Sequence, residues 1–267
     1  MIFIDFVGML TLFLTSHQQN KQEKRMTQEF MIVGLSAIGP VIGSGIGVLK
    51  KPSTVYIQNM LYFAAGIMLA VSFLDLIPES RRLGSTMTCV SGLVLGAAAI
   101  WLLDRIFPHV HECSACGENE CQMGHTANFL ILAIFLHNFP EGMAIGIGGS
   151  TNVGDSLVVA LAIAIHNIPE GICTSAPHYY AYGNRLKSFV MSSMSALPIV
   201  AGFFVARYIF GQISAQTMSL LIGATAGLMI YISASELMPA VTNNSGQKTT
   251  LFFMFGIVSV MLLECIG

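Results

Sequence analysis

Charge is what this chain of 267 residues has least of: Asp, Glu, Lys and Arg together make up 10% of it, against about a quarter in an ordinary soluble domain. Hydrophobic residues make up 54%, and the mean hydropathy is +0.71. That balance excludes a soluble globular protein and points to a polytopic membrane protein. A net charge of -2, with no long basic run, excludes a nucleic acid as partner. Six cysteines are too sparse for a secreted disulfide scaffold. No glycine-rich phosphate loop occurs between a strand and a helix, and there is no H-E-x-x-H.

Long apolar runs are what the chain does contain. They predict an all-α polytopic membrane protein with eight transmembrane helices, near 29–49, 54–77, 86–107, 126–149, 154–177, 187–210, 215–240 and 249–266. The runs are continuous, without the period-two alternation of a membrane barrel. Residues 29–267 are therefore expected to form a single transmembrane domain. Residues 1–28 are a separate N-terminal segment in which 2–15 are apolar but short; they form either an extra short helix or an interfacial or disordered stretch. Lys21, Lys24 and Arg25 follow that stretch, whereas a signal peptide would place its charge before it. Basic residues do not orient the bundle. Lys50, Lys51, Arg105, Arg185, Lys187 and Lys248 fall on one side, and Lys21, Lys24, Arg25, Arg81, Arg82 and Arg207 on the other.

The chain repeats itself twice. His137-Asn138-Phe139-Pro140-Glu141-Gly142 recurs as His166-Asn167-Ile168-Pro169-Glu170-Gly171, on consecutive and hence antiparallel spans. A weaker repeat relates residues 66–78 in span two to 227–239 in span seven, with Met68, Ser72 and Asp75 matched by Met229, Ser233 and Glu236. Both pairs fit one pseudo-two-fold axis in the membrane plane. Inverted repeats with the binding site at their interface are a transporter pattern.

An acid in mid-span costs about 2.5–3.5 kcal/mol on insertion scales and is a functional-site candidate by default. Asp75, Glu141, Glu170 and Glu236 lie within spans, and no Lys or Arg shares their segments. A proton, water or a metal cation must neutralise them. The spacing favours a metal: His137 and Glu141 share one helix face, Asn138 lies on its edge, and Pro140 removes a backbone donor. The antiparallel copy would add His166, Asn167 and Glu170. Imidazole with carboxylate suits zinc, iron or manganese, and a bridging glutamate would allow two adjacent ions. Met68, Ser72 and Asp75 form one stripe on span two, and Met229, Ser233 and Glu236 the matching stripe on span seven; Asp75, Ser72 and Glu236 are candidates for a transport path. Met68 is either a soft ligand or core filler.

Residues 105–125 form the connection between spans three and four and carry His109, His111, Cys113, Cys116, Cys121 and His125. They suit transient cytosolic metal capture, although a second C-x-x-C is missing; the alternative is a plain reduced loop. Cys89, Cys173 and Cys265 are isolated and expected to be buried.

The paired hexads, the eight spans, the His/Cys loop and the F-L-D-L-I-P-E-S segment at 73–80 together resemble the ZIP zinc transporter family, in its prokaryotic broad-specificity type. The resemblance covers nearly the whole chain. It implies divalent metal import into the cytoplasm across the cell membrane, with zinc and also iron, manganese and cadmium as cargo. It implies both termini outside and the 105–125 loop inside. It further implies a binuclear site, with Met68, His137, Glu141, His166 and Glu170 around one ion and Asn138, Asn167 and the shared Glu141 and Glu170 around the other. Some members add a glutamate from a Glu-Pro pair in span six, where this chain has Leu197-Pro198. Alternating access and a homodimer are features of the family. No nucleotide-binding module is present, so a gradient or cytosolic metal buffering would drive transport. Histidines and carboxylates must lose protons to bind a metal, so uptake should fall at acid pH unless protons also drive it. An intramembrane metallohydrolase would need an open coordination position with a general base beside it, and has no use for paired hexads. A metal-gated channel is the other rival, and saturable slow flux would reject it.

Overall fold

The structure, a computed structural model, describes residues 27–106, 118–148, 153–209, 214–238 and 247–265. Among the described residues every regular element is helical. Eight helices follow one another: α1 (Thr27–Gly47), α2 (Thr54–Leu83), α3 (Thr86–Ile106), α4 (Glu118–Gly148), α5 (Val153–Tyr182), α6 (Arg185–Tyr208), α7 (Ala215–Leu237) and α8 (Gln247–Glu264). Six of them, α1 to α4, α6 and α7, are long and apolar enough to cross a membrane. The helix α5 instead carries His166, Asn167, Glu170, Thr174, Ser175 and His178 along its length, and the apolar stretch described in α8 spans Thr249–Leu263.

The helix ends follow local chemistry. Ser53, Asn184 and Ser214 each cap the helix that follows, accepting the backbone N–H of Tyr56, Lys187 and Thr217. Gly183, at φ 66°, turns the chain between α5 and α6, where a side chain would be strained.

Three sequence expectations need correcting here. The segment 105–125 is not a loop throughout, because α4 begins at Glu118. Glu118, Glu120, Gln122 and Met123 are good helix formers, and no proline or glycine occurs before Gly124, so the helix extends beyond its apolar part. Cys121 and His125 therefore sit on α4, and His109, His111, Cys113 and Cys116 lie outside the described residues, as does the 2–15 segment. The helix α5 likewise runs to Tyr182, five residues past the expected end of its span. Cys265 is exposed rather than buried, whereas Cys89 and Cys173 are buried as expected.

Close glycine contacts set the packing. The helix α2 lies along α8 and α3 along α7; α4 packs against both α5 and α6, and α1 lies along α5. A Cβ on Gly66 of α2 would fall 2.2 Å from the Phe253 carbonyl oxygen of α8, and one on Gly227 of α7 would fall 2.1 Å from that of Leu93 in α3. Gly142 and Gly171, which close the two hexads, press in the same way on Ile199 of α6 and Pro40 of α1. Small residues allow such approach between membrane helices, where no hydrophobic force drives association.

Two apolar cores result. Ile32, Val33, Ile145, Ile163, Ile199 and Phe203 join α1, α4, α5 and α6. Ile57, Met68, Ile100, Leu130, Met229 and Val260 join α2, α3, α7 and α8 to the inner faces of α4 and α5. Large apolar side chains such as Trp101, Leu251, Phe255 and Leu262 face outward, as lipid contact requires.

One ion pair fastens α1 to α6. Arg207 Nε and Nη2 reach the two oxygens of Glu29 at 3.1 Å each, and Glu29 is buried. The bidentate geometry is the strong form of this interaction. Arg207→Ala is expected to lower the melting temperature in detergent by a few degrees, the scale of about 1–2 kcal/mol for a part-exposed pair. Glu29→Ala added to it should cost less than it does alone, since the two act as a unit; equal costs in both backgrounds would count against the pair.

Candidate metal centre

The two hexads meet where α4 crosses α5. Both helices continue through Pro140 and Pro169 without interruption. His137, Asn138, Glu141, His166, Asn167 and Glu170 are all buried, with His137, Asn138 and Asn167 at 0% exposure.

The contacts are reciprocal. His166 Nε2 hydrogen-bonds Glu141 Oε1 at 3.2 Å, and His137 Nε2 lies 3.3 Å from Glu170 Oε2. Each hexad thus sets its histidine against the glutamate of the other, as the same motif on antiparallel neighbours requires. His137 Nε2 is also 3.9 Å from Glu141 Oε1, and Asn167 Nδ2 makes a long contact of 3.4 Å to Glu141 Oε2. Glu141 is thus the shared centre of the cluster.

Several buried donors have no aligned hydrogen-bond partner: both nitrogens of His137, both oxygens of Glu170, and the amide oxygens of Asn138 and Asn167. Buried polar atoms are nearly always paired, so six such atoms in one place make this cluster the candidate site. Among the described residues, however, no three His, Cys, Asp or Glu side chains converge tightly enough to hold an ion as they stand. The side chains are grouped in pairs, His137 with Glu170 and His166 with Glu141.

The outlying candidates are placed differently. Met68 is buried in the larger apolar core with Leu130, Cys173 and Met229, outside the hydrogen-bonded cluster. Ser72 and Ser233 are buried and donate back to the carbonyls of Met68 and Met229, at 2.7 and 2.8 Å. Each serine begins a π-helical turn, Ser72–Leu76 in α2 and Ser233–Leu237 in α7, in the same register of the weak repeat. The expected Met68–Ser72–Asp75 stripe divides on burial, with Met68 and Ser72 covered and Asp75 not. Asp75 is exposed, whereas its counterpart Glu236 is buried. The local backbone is alike; the cover provided by neighbouring helices is not.

The hexad motif leaves one feature unmarked. Ser44 of α1, Thr174 of α5 and Ser192 of α6, all at 0% exposure, form a hydroxyl knot, with Ser192 Oγ 2.6 Å from Ser44 Oγ and 2.5 Å from Thr174 Oγ1. The signal for it lay in the serines at 188, 192 and 195, spaced i, i+4 and i+7 on an apolar span. Further along, His178 Nδ1 meets Ser188 Oγ at 2.7 Å, and Asn128 Nδ2 donates to Tyr182 Oη at 2.8 Å, tying α4 to the end of α5.

A helical membrane protein with His, Asn and Glu side chains meeting at its buried centre falls in the class of multi-pass proteins whose intramembrane polar groups mark a candidate functional site. Comparison with known proteins identifies the family. The ZIP Zinc transporter family model matches residues 108–264. The zinc transporter ZupT of Escherichia coli O81 (strain ED1a) is 34% identical over 256 residues, covering 91% of this chain and 99% of that protein. The zinc transporter ZupT of Enterobacter sp. (strain 638) is 35% identical over 223 residues, covering 80% of this chain and 86% of that protein. The chain belongs to the ZIP zinc transporter family. It is a multi-pass protein of the cell membrane, and a transporter rather than an enzyme.

Proposed function

We propose that this protein imports zinc into the cytoplasm, with iron, manganese and cadmium as further cargo, through the site formed by the two hexads. The observation that carries the proposal is the reciprocal pairing of His137 with Glu170 and His166 with Glu141, at 3.3 and 3.2 Å. Ligands bound at about 2.1 Å from a tetrahedral zinc stand about 3.4 Å apart. Each His–Glu pair is therefore already spaced as one edge of such a site.

A second ion would rest on oxygens alone: the orphaned amide oxygens of Asn138 and Asn167 with the shared carboxylates of Glu141 and Glu170. No glutamate is available from α6, where Leu197-Pro198 stands, so this half is the weaker one. Met68 would supply a soft contact from the core, while Ser72, Glu236 and Asp75 would mark the route beyond the site. His109, His111, Cys113, Cys116, Cys121 and His125 would receive the ion in the cytoplasm.

All eight helices act as spans in this reading, arranged as inverted repeats. The packing supports it: α2 on α8 has its counterpart in α7 on α3, and α1 on α5 in α6 on α4, each through glycines pressed on carbonyls. Alternating access would then move one set of helices against the other around the hexads.

Purified protein in proteoliposomes is expected to give saturable zinc uptake that manganese and cadmium compete for. Flux no greater than in empty liposomes would overturn the proposal. Orientation has its own check. In a variant with Cys113, Cys116 and Cys121 changed to serine, an impermeant maleimide added to whole cells should label exposed Cys265, placing the C-terminus outside; labelling only after lysis would place it inside.

A further inference from the structure

In α6 the side chain that some relatives place in the site is absent, yet α6 still touches the hexads. Within its 3-10 turn, Met194–Ala196, the carbonyl oxygen of Ser195 accepts the amide Nδ2 of Asn138 at 2.7 Å. An amide turned the other way would set its oxygen against that carbonyl, two acceptors facing each other with both buried. The contact thus selects one orientation of Asn138 and leaves Oδ1 on the side away from the carbonyl, buried and without a partner.

The turn is itself held. Ser195 Oγ donates to the Ser192 carbonyl at 2.7 Å. Ser192 Oγ lies within hydrogen-bond reach of Ser44 on α1, of Thr174 on α5 and of the Gly171 carbonyl, the last residue of the second hexad, at 3.2 Å. Ser44 Oγ donates in turn to the Pro40 carbonyl at 2.6 Å, and Thr174 Oγ1 to the Glu170 carbonyl at 3.0 Å. With those two protons committed, the single Ser192 proton serves one of its three neighbours at a time, Ser44 on α1, Thr174 on α5 or the Gly171 carbonyl, and so ties the α6 turn to the helices that flank it.

We propose that α6 shapes the metal site through its backbone: the Ser195 carbonyl orients Asn138 so that its oxygen is offered to the cation, and the Ser192 hydroxyl knot holds that carbonyl in place. Ser192 and Ser195 are positioning residues that act through Asn138. The proposal rests on the hexads being the cation site. Its consequence is that the tuning of this transporter's affinity lies in buried hydroxyls with no charge of their own.

The test is a double-mutant cycle on zinc uptake in proteoliposomes. Ser192→Ala is expected to raise KM for zinc about two- to tenfold, the scale of one lost hydrogen bond, with kcat changed less than about twofold. Thr174→Val, which removes the neighbouring hydroxyl without changing size, should act in the same direction. In an Asn138→Ala background, Ser192→Ala should add almost nothing, because its route to the ion is gone. Multiplying effects in the double variant, or an unchanged KM in both hydroxyl variants, would overturn the proposal. A fall in kcat and melting temperature with KM unmoved would mark the knot as packing alone and overturn it equally. If Asn138→Ala leaves KM unchanged while Glu141→Ala abolishes uptake, the inference fails and the site stands. Full uptake by Glu141→Ala would instead remove the site itself.

Discussion

Zinc uptake by Glu141→Ala in proteoliposomes is expected to fall by about a hundredfold or more. Loss of a residue that merely supports a metal ligand costs about 10–100-fold, and Glu141 stands closer to the chemistry than that. Its Oε1 pairs with His166 and lies 3.9 Å from His137, and its Oε2 meets Asn167. Removing it takes away a carboxylate that lies within 3.9 Å of His137, His166 and Asn167 and deprives His166 of its hydrogen bond at 3.2 Å. Glu170→Ala should behave alike, since its two buried oxygens have no aligned hydrogen-bond partner and its Oε2 lies 3.3 Å from His137 Nε2. Glu79→Ala is the control: its carboxylate pairs with Arg82 at the surface, at 2.6 Å, and its loss should leave uptake within about twofold, as for exposed pairs generally. Full zinc flux through Glu141→Ala would end the proposed mechanism.

The second large effect concerns folding. A Cβ on Gly96 of α3 would lie 1.9 Å from the Ala224 carbonyl oxygen of α7 and 2.7 Å from its carbon. Both are backbone atoms, so relief requires the two helices to separate along their contact. Gly96→Val should destabilise by about 3 kcal/mol or more, at the upper end for overpacking. The expected readout is loss of a monodisperse peak in detergent. Gly34→Ala offers the contrast, because nothing lies within 4 Å of its added Cβ. Helix propensity alone then operates, and the change should be neutral or stabilising by about 0.5–1 kcal/mol. Similar behaviour of the two variants would show that helix approach does not govern stability here.

How much of this could be read from the residues varies with the range of the interaction. The eight helices follow from apolar runs and their breaks, which are local. The boundaries of α4 and α5 do not, because Glu118–Met123 and His178–Tyr182 are helix-compatible residues outside the apolar runs, where hydropathy carries no signal. The hexads announced themselves by repetition, and their meeting across antiparallel neighbours was implied by their order along the chain. The stripes on α2 and α7 share their spacing and a π-helical turn, yet Asp75 is exposed and Glu236 buried, because cover depends on which helices lie alongside. Cys265 was misjudged because an isolated cysteine in an apolar run carries no sign of which side faces out.

By itself the sequence determined the membrane class, the eight helices among the described residues, the family and the two hexads on α4 and α5, since each rests on composition, spacing or a repeated motif. The tertiary structure alone decided that His137 pairs with Glu170 and His166 with Glu141, that Glu236 is covered while Asp75 is not, and that the Ser195 carbonyl of α6 accepts the Asn138 amide. Those outcomes depend on which helix faces pack together. Packing is set by glycine-to-carbonyl contacts between segments far apart in the chain, such as Gly142 on Ile199 and Gly171 on Pro40, and no local pattern in either segment names its partner.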